Sequence, residues 1–407
     1  MNKVLTFGNY YVSDFITNVS ENEKKSKYSL DLYLDEEIGA VRLKDLAPAH
    51  TMWGKYWYRS GINSSMVNEL NSIVQEITTR VKLSEHDIWL DIACNDGTLL
   101  KAVPDKLIKV GIDPADNTYL AESSKIGNII QDYFSAAAWS RTGYAEQKAK
   151  VITCIAMFYD LDNPNPFIED LYKVLDDNGV IVLQMSYTPL MIKQMAFDNI
   201  CHEHTYYYDL RSIQKLFDKH GFKVVDCSLN DTNGGSFRLY IQKKIAITSS
   251  FGTAPLRDVC DIRVKSIVEY ETNVCDITDS HVWEKFADEL NSLKEQVITF
   301  IKTAKEQGKI IYGYGASTKG NTLLQYFGLD HTHITAIAER SAYKFGMKTV
   351  GTNIPIVSEE EMRDANPDYL LVLPWHFIDE FERREQDYLK SGGCLVLPCP
   401  QFKLITG

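Results

Sequence analysis

The stretch Trp89-Leu90-Asp91-Ile92-Ala93-Cys94-Asn95-Asp96-Gly97-Thr98-Leu99-Leu100 decides the fold. An apolar run of strand type passes through small and polar residues straight into a helical pattern. Such a turn leaves free backbone N–H groups at the helix start, where a carboxylate or another anion is held, and small residues let the backbone approach a ligand. Asp113 closes the next apolar run, Ile108 to Ile112, at the place where a carboxylate accepts both hydroxyls of a ribose. Asp132 follows a third run, Asn128 to Ile130, and is placed to meet an adenine amino group. The residues expected around a nucleoside are therefore Asp91, Ala93, Asn95, Gly97, Asp113 and Asp132. The plain alternative makes Asp91 and Asp113 strand ends and Gly97 a helix start, because Ala93 and Asn95 stand where such loops usually carry glycine.

Outward from this loop, helical periodicity alternates with short β-branched runs at Val151 to Ile155 and Val180 to Gln184, the signature of a parallel sheet wound by right-handed crossovers. Two further runs, Lys223 to Cys227 and Ser236 to Ile241, are joined through Asn233-Gly234-Gly235 and predict an antiparallel hairpin at one sheet edge. Residues 255 to 307 read mostly as helix, with Phe286, Leu290, Leu293, Val297 and Ile301 at helical spacing. A second α/β pattern follows, with strands at 310–314, 334–339, 369–373 and 394–398 and helices at 319–327 and 376–386. The expected organisation is an irregular N-terminal extension at 1–67, a first wound domain at 68–250, connecting helices at 251–308 and a second wound domain at 309–407.

The chain has 407 residues, enough for two or three domains, and 44% apolar and 24% charged residues, as in an ordinary folded protein. Its net charge is −12, with no basic cluster denser than Lys24-Lys25-Ser26-Lys27, so nucleic acid is not an expected partner. No apolar stretch is long enough for a membrane helix and the start lacks a signal-peptide pattern, so a cytoplasmic protein with no membrane partner is expected. The eight cysteines are scattered without a Cys-x-x-Cys pair, which speaks against disulfides and structural zinc.

The second chemistry-bearing stretch is Phe197-Asp198-Asn199-Ile200-Cys201-His202-Glu203-His204-Thr205-Tyr206-Tyr207-Tyr208, which follows the fifth strand. That is the carboxyl-end loop region where open α/β sheets hold ligands. Imidazole takes and returns protons near neutrality, and a neighbouring carboxylate fixes its tautomer, so a base for carbon acids is available. His-x-His spacing alone lacks the further ligands that zinc demands. A loop whose histidines only bind backbone carbonyls is the bland alternative.

The third is Gly313-Tyr314-Gly315-Ala316-Ser317-Thr318-Lys319-Gly320, with Glu339 closing the next strand about twenty residues on, close to a dinucleotide fingerprint except that threonine fills the third small position. The Pro374-Trp375-His376-Phe377 turn in the same half is open to two readings, packing on a base or core packing.

These three stretches, with Tyr56-Trp57-Tyr58-Arg59-Ser60-Gly61, Met157-Phe158-Tyr159-Asp160-Leu161 and Asn233-Gly234-Gly235-Ser236-Phe237-Arg238, occur in the order found in the sugar-nucleotide C-methyltransferases, which the chain resembles over nearly its whole length. The resemblance implies a class I S-adenosylmethionine-methyltransferase Rossmann-like domain followed by a second Rossmann-like α/β domain that helps bind a nucleotide-sugar. It implies methylation of carbon 3 of a nucleotide-linked 4-keto-deoxy sugar, with S-adenosylmethionine as cofactor. Glu203 and His204 become the catalytic pair, with His202 and Tyr58 as helpers. Tyr56, Asp160, Asn233, Arg238, Gly315, Ser317, Lys319, Asn321 and Trp375 become substrate contacts, with Lys319 adding charge at a pyrophosphate. Members usually carry an N-terminal four-cysteine zinc module, whereas here no cysteine precedes Cys94; a shortened, metal-free counterpart and no zinc are expected. Two positions also depart from the pattern of some members, Cys201 for a tyrosine and Asp160 for a histidine. The competing activities are a sugar O-methyltransferase, an NAD-dependent sugar-nucleotide oxidoreductase using the second loop, and a non-catalytic nucleotide-binding homologue. Monomer and homodimer both fit.

Overall fold

The computed structural model describes residues 1–48, 51–52, 58–246 and 254–407 of the chain. Seven strands make the first sheet: β1 (Ile88–Ile92), β2 (Ile108–Asp113), β3 (Asn128–Gln131), β4 (Ala149–Ile155), β5 (Leu175–Ser186), β6 (Phe222–Asn230) and β7 (Ser236–Lys243). Their order is β3-β2-β1-β4-β5-β7-β6, parallel except for β7, which is antiparallel to both β5 and β6. Every position of β1 and β7 is buried, so neither segment shows the alternation of a half-exposed strand, and the polar side chains of Asp91 and Arg238 in them are hydrogen-bonded. The order reverses between β1 and β4, so the loops after these two strands diverge and leave a crevice at the carboxyl edge. Helix α1 (Ser64–Arg80) covers one face with Met66, Leu70, Ile73, Val74 and Ile77, spaced to form one stripe. Helix α2 (Leu210–Lys219) covers the other with Leu210, Ile213, Leu216 and Phe217.

The long helical region is two helices, α3 (Ala254–Asn273) and α4 (Ser280–Glu306), with Asp279 capping the second through its side chain to the His281 amide. Buried Glu271 on α3 accepts hydrogen bonds from the Tyr187 hydroxyl at 2.8 Å and the Leu210 and Arg211 amides at 2.6 and 3.0 Å, fastening α3 to the start of α2. Beyond α4 come β8 (Ile311–Tyr314), helix α5 (Thr318–Phe327), β9 (Ile337–Glu339), β10 (Ile356–Ser358), β11 (Tyr369–Val372), β12 (Cys394–Leu397) and β13 (Lys403–Thr406). They form a second sheet ordered β10-β9-β8-β11-β12-β13, parallel except for the last strand.

The N-terminal region corrects the expectation of an irregular extension. Asn2–Leu5, Leu32–Asp35 and Ala40–Leu43 form an antiparallel sheet completed by Tyr206–Tyr207 from the loop after β5. Phe15–Ile16 pairs with Lys348–Thr349 of the second domain. Leu5, Phe7, Phe15, Leu30, Leu32 and Leu43 are buried in one core with residues of that domain. The segment is a cap that joins both domains to the Cys-His-Glu-His loop by backbone pairing and apolar burial. Strands this short show no readable alternation, and their partners lie far along the chain.

A charged network holds α1 and α3 onto the hairpin. Buried Asp226 on β6 is held by Arg80 and Arg263, whose Nε donates at 3.0 Å, and Arg80 also meets Glu76 at 2.6 Å. Removing one member of a buried pair leaves the others uncompensated, at about 3–5 kcal/mol. Asp226→Ala is therefore expected to destabilise the protein by about that amount, read as the shift of the urea unfolding midpoint at unchanged slope.

Candidate active site

The loop after β1 is wound more tightly than its composition suggests. Ala93, Asn95 and Gly97 all have left-handed backbone, with φ of 59°, 49° and 79°. A side chain at Gly97 would meet the Ser123 backbone at 2.9 Å, so glycine is required there by packing as well as by φ. Ala93 and Asn95 hold the same conformation at a cost of about 1–2 kcal/mol each, the kind of local strain that collects at binding sites.

Asp113 anchors this loop. Its Oδ2 accepts the Asn95 amide at 2.8 Å and its Oδ1 the Ala115 amide at 2.7 Å, leaving a second lone pair on each oxygen. Burial raises its carboxyl above the ordinary range despite those amides. Asp91 is deeper still: its Oδ1 accepts the Thr153 hydroxyl at 2.6 Å, and burial, with Asp113 adding to it, pushes its carboxyl up to about 7. Asp132 is half exposed and paired with Arg141.

The segment before α1 lies across this loop. The Asn95 side-chain Nδ2 donates to the Tyr58 carbonyl at 3.1 Å, the Ser60 backbone amide to Asn95 Oδ1 at 3.2 Å and the Gly61 backbone amide to Asp96 Oδ2 at 2.8 Å. The Arg59 guanidinium sits 6.0 Å from the ring centre of Tyr343 in the second domain. Tyr58 itself is 44% exposed, and Tyr56 lies outside the described residues.

Across the crevice, the Cys-His-Glu-His loop is gathered against the turn after β4. His204 is buried, its Nδ1 lies 2.8 Å from the Asn199 carbonyl, and the Tyr159 ring packs on it with centres 4.1 Å apart. A carbonyl only accepts, so Nδ1 carries the proton and Nε2 keeps its lone pair. Burial, with a contribution from Lys319, pushes this imidazole down to about 3, so it is neutral throughout the physiological range. If His204 is the base, kcat/KM loses activity only as pH falls toward that value, and the acid limb is absent between pH 5 and 8. A pH–rate profile with a midpoint near the ordinary histidine value of about 6.5 would place the base elsewhere.

Glu203 and Asp160 each bury one carboxylate oxygen without a partner among the described residues, Oε2 and Oδ1 respectively. Burial raises both carboxyls, and Glu203 adds to the rise at Asp160. His202, by contrast, faces the N-terminal cap, with Nε2 3.1 Å from the Tyr28 carbonyl, and burial pushes it down to about 4. The geometry thus gives His202 a structural partner rather than a place beside His204.

The second domain closes the site in ways the spacing does not reveal. Lys319, at the start of α5, reaches out of its own domain: Nζ donates to Asn199 Oδ1 at 2.6 Å and to the Asn233 carbonyl at 3.2 Å. Trp375 is buried, donates from Nε1 to Asp198 Oδ2 at 3.2 Å and packs against Gly234, the domain-junction form of core packing. Ser317 caps α5 through its hydroxyl to the Gly320 amide at 2.9 Å. Gly315 is crowded by Pro374, which would lie 2.6 Å from an added side chain, so its glycine serves packing between loops. Asn321 is buried and donates to the Asp14 carbonyl at 3.2 Å, with its Oδ1 unpartnered among the described residues. Arg238 is engaged by Gln184 and Glu69, both at 2.8 Å, and by Glu76 of α1. Its guanidinium belongs to the network under α1. Asn199, Asp198 and Tyr159 are site residues that sequence reasoning quoted within motifs but did not single out.

Two open surface hollows border Gln214, one beside Lys215 and Lys223 and the other beside Val264 and Thr272. Neither is lined by His204, Glu203, Asp113, Lys319 or Trp375. Among the described residues no cluster of histidine, cysteine, aspartate and glutamate is arranged to hold a metal ion, and no helix is long and apolar enough to cross a membrane.

Residues 63–226 match the family described as methyltransferase domain, and residues 231–400 match the C-methyltransferase C-terminal domain. The chain is a methyltransferase: an enzyme with a class I S-adenosylmethionine-methyltransferase Rossmann-like domain followed by a second α/β domain. It is related to the C-methyltransferase NovU of Streptomyces niveus, with 25% identity over 382 residues, 93% of this chain and 88% of that protein. Among solved structures, a Clostridium acetobutylicum S-adenosylmethionine-dependent methyltransferase is similar over 44% of this chain and 92% of its own, at 12% identity and a TM-score of 0.33. Magnesium protoporphyrin IX methyltransferase from Synechocystis, with bound S-adenosylhomocysteine, is similar over 48% of this chain and 91% of its own, also at 12% identity and a TM-score of 0.33.

Proposed function

We propose that the chain transfers a methyl group from S-adenosylmethionine to carbon 3 of a nucleotide-linked 4-keto-deoxy sugar, with His204 as the base. The single observation that carries this reading is His204 itself. It is a buried neutral imidazole fixed by the Asn199 carbonyl with Nε2 unprotonated, in the crevice opposite the loop after β1.

The residues of the first loop fit the cofactor. Asp113 retains one lone pair on each oxygen for a pair of ribose hydroxyls, and the Ala93–Gly97 turn bends the backbone so that small residues line the approach. When bound, S-adenosylmethionine supplies an electrophilic methyl group. The protein's part is to bind, orient and move one proton. A 4-keto group acidifies the proton on carbon 3, and His204 Nε2 takes it, leaving an enolate as nucleophile. The Tyr159 ring and the Asn199 carbonyl fix the plane of the imidazole while it does so. Glu203, raised by burial, orients the sugar or the histidine from the same loop. The segment from Tyr58 to Gly61 is hydrogen-bonded across the first loop and holds its turn in place. Holding both reactants in one crevice is worth several kcal/mol of barrier, of the order of 7–11 for ideal alignment.

The test needs no methyl transfer. Incubated in deuterium oxide with S-adenosylhomocysteine and a panel of nucleoside-diphosphate 4-keto-deoxy sugars, the enzyme should place deuterium at carbon 3 of one of them, as read by proton NMR. An O-methyltransferase makes no such exchange, and its absence with every sugar of the panel counts against the proposal.

A further inference from the structure

We propose that Lys319 of the second domain is a positioning residue for His204, acting through Asn199 to hold the imidazole with its proton on Nδ1 and Nε2 open. The inference deepens the proposed function, on which it rests for the role of His204 as base.

Three observations carry it. The first is connectivity: Lys319 Nζ donates to the Asn199 side-chain oxygen at 2.6 Å, and the backbone carbonyl of the same Asn199 receives His204 Nδ1 at 2.8 Å. One residue is thus gripped by the ammonium on one side and grips the imidazole on the other. The second is that Asn199 cannot turn. The Ser186 hydroxyl also donates to its Oδ1 at 3.1 Å, its Nδ2 donates to the Ala196 carbonyl at 3.1 Å, and the residue is 1% exposed. The third is that the lysine comes from elsewhere. It lies on the first turn of α5, and its second hydrogen bond, to the Asn233 carbonyl at 3.2 Å, fixes it to the hairpin of the first domain. A lysine whose task was only to join the domains could sit at the rim, where an ammonium keeps its water; this one is partly buried, with its Nζ set against the loop that carries the base.

The electrostatics run the same way. The positive charge of Lys319 opposes a second one on His204 and so favours the neutral ring, while the Asn199 carbonyl alone would favour the charged form. Burial works against the ammonium, and Asp198, held by Trp375, works for it. The other titratable groups around His204 are Glu203 and Cys201 on its own loop, Asp160 and Tyr159 after β4, Tyr207, and His376 after β11, whose ring is itself pushed down to about 3 by burial with Lys319 adding to it. Of these neighbours, Lys319 is the cation.

The test is long-range proton–nitrogen NMR on the full chain labelled with nitrogen-15 histidine, with His204→Gln used to assign the signals. In the native protein, His204 is expected as the Nδ1–H tautomer, without titration between pH 5 and 8. In Lys319→Met and Lys319→Gln the Nδ1–H fraction should fall, and the titration midpoint, followed below pH 5, should rise because a positive charge beside the ring has been removed. Lys319→Arg, which keeps a cation and its donors, should restore the native tautomer. A native protein in the Nε2–H form, or a midpoint and tautomer unchanged in both folded neutral variants, overturns the proposal. Thermal unfolding checks folding, and if the neutral variants do not fold, Asn199→Ala decides: it removes the side-chain oxygen that Lys319 grips and keeps the backbone carbonyl, and an unchanged Nδ1–H fraction there overturns the proposal. Because no sugar is used, failure of methyl transfer and failure of this link are separate results.

Discussion

His204→Gln is expected to lower kcat/KM for methyl transfer by about 10²–10⁴-fold while leaving the affinity for S-adenosylhomocysteine unchanged. Glutamine keeps the bulk and a polar end but has no basic nitrogen, so the variant removes proton abstraction and little else. The size of the loss follows from what a positioned base contributes when the proton comes from carbon, where water is a poor substitute. Binding is spared because the methyl-donor loop lies across the crevice, on Asp113 and its amides. Steady-state kinetics with calorimetry on the same preparation reads both quantities. Activity within threefold of the native enzyme would remove His204 from the chemistry and return the loop to the structural reading in which its histidines only satisfy backbone carbonyls.

Asp113→Ala is expected to weaken S-adenosylhomocysteine binding by about 10²–10⁴-fold. A hydrogen bond to a charged group contributes roughly 1.5–3 kcal/mol, and two ribose hydroxyls on one carboxylate therefore account for about 3–6 kcal/mol. The substitution also frees the Asn95 and Ala115 amides that Asp113 holds, so the left-handed turn at 93–97 loses its anchor. The control is Glu339→Ala. Glu339 occupies the corresponding place in the second domain, where its Oε2 accepts the Ala316 amide at 2.9 Å, and its loss should leave S-adenosylhomocysteine binding unaltered. Should the protein instead bind NAD, with that binding abolished by Glu339→Ala, the second loop would be the cofactor site and the chemistry would be redox.

How much of this was legible in the sequence depends on how local the signal is. The strands of both main sheets announce themselves because each is a short buried run next to a helix, and the hairpin at Asn233-Gly234-Gly235 is set by residues whose backbone is left-handed, with φ of 54°, 85° and 107°. The N-terminal cap was not legible. Its strands are two to four residues long, and pairing of Tyr206–Tyr207 with Val41 and Arg42 joins segments that share no local pattern. The same holds at the site. His204 and Glu203 could be named from one dense stretch, whereas the resemblance places Lys319 at a pyrophosphate and gives no sign of its hydrogen bond to Asn199, 120 residues away. For Arg238 the sequence leaves two readings, a ligand contact or a part of the hairpin. Its partners Glu69 and Glu76 lie on α1, one stripe of which faces the hairpin, and only the packed fold brings them together. Glycine 315 carries a similar lesson: the sequence marks a close approach there, but not that the approaching atoms belong to Pro374.

The interplay of the two domains gives these separate long-range contacts one cause. Spacing along the chain describes each glycine loop as if its ligand were the only thing near it, whereas the second loop also faces protein. Trp375 and Lys319 both point from the second domain into the loops of the first, and the N-terminal cap adds backbone pairing to the same loop. The Cys-His-Glu-His loop, the turn at Asn233-Gly234-Gly235 and the domain junction are therefore parts of one assembly.

The measurement that bears most directly on the whole account is methyl transfer from S-adenosylmethionine labelled with carbon-13 in its methyl group to a nucleotide-linked 4-keto-deoxy sugar, followed by carbon NMR of the product. The account predicts a labelled methyl bonded to carbon 3, absent with His204→Gln. A label bonded to oxygen, or no labelled sugar from any 4-keto substrate while S-adenosylhomocysteine still binds, would contradict it.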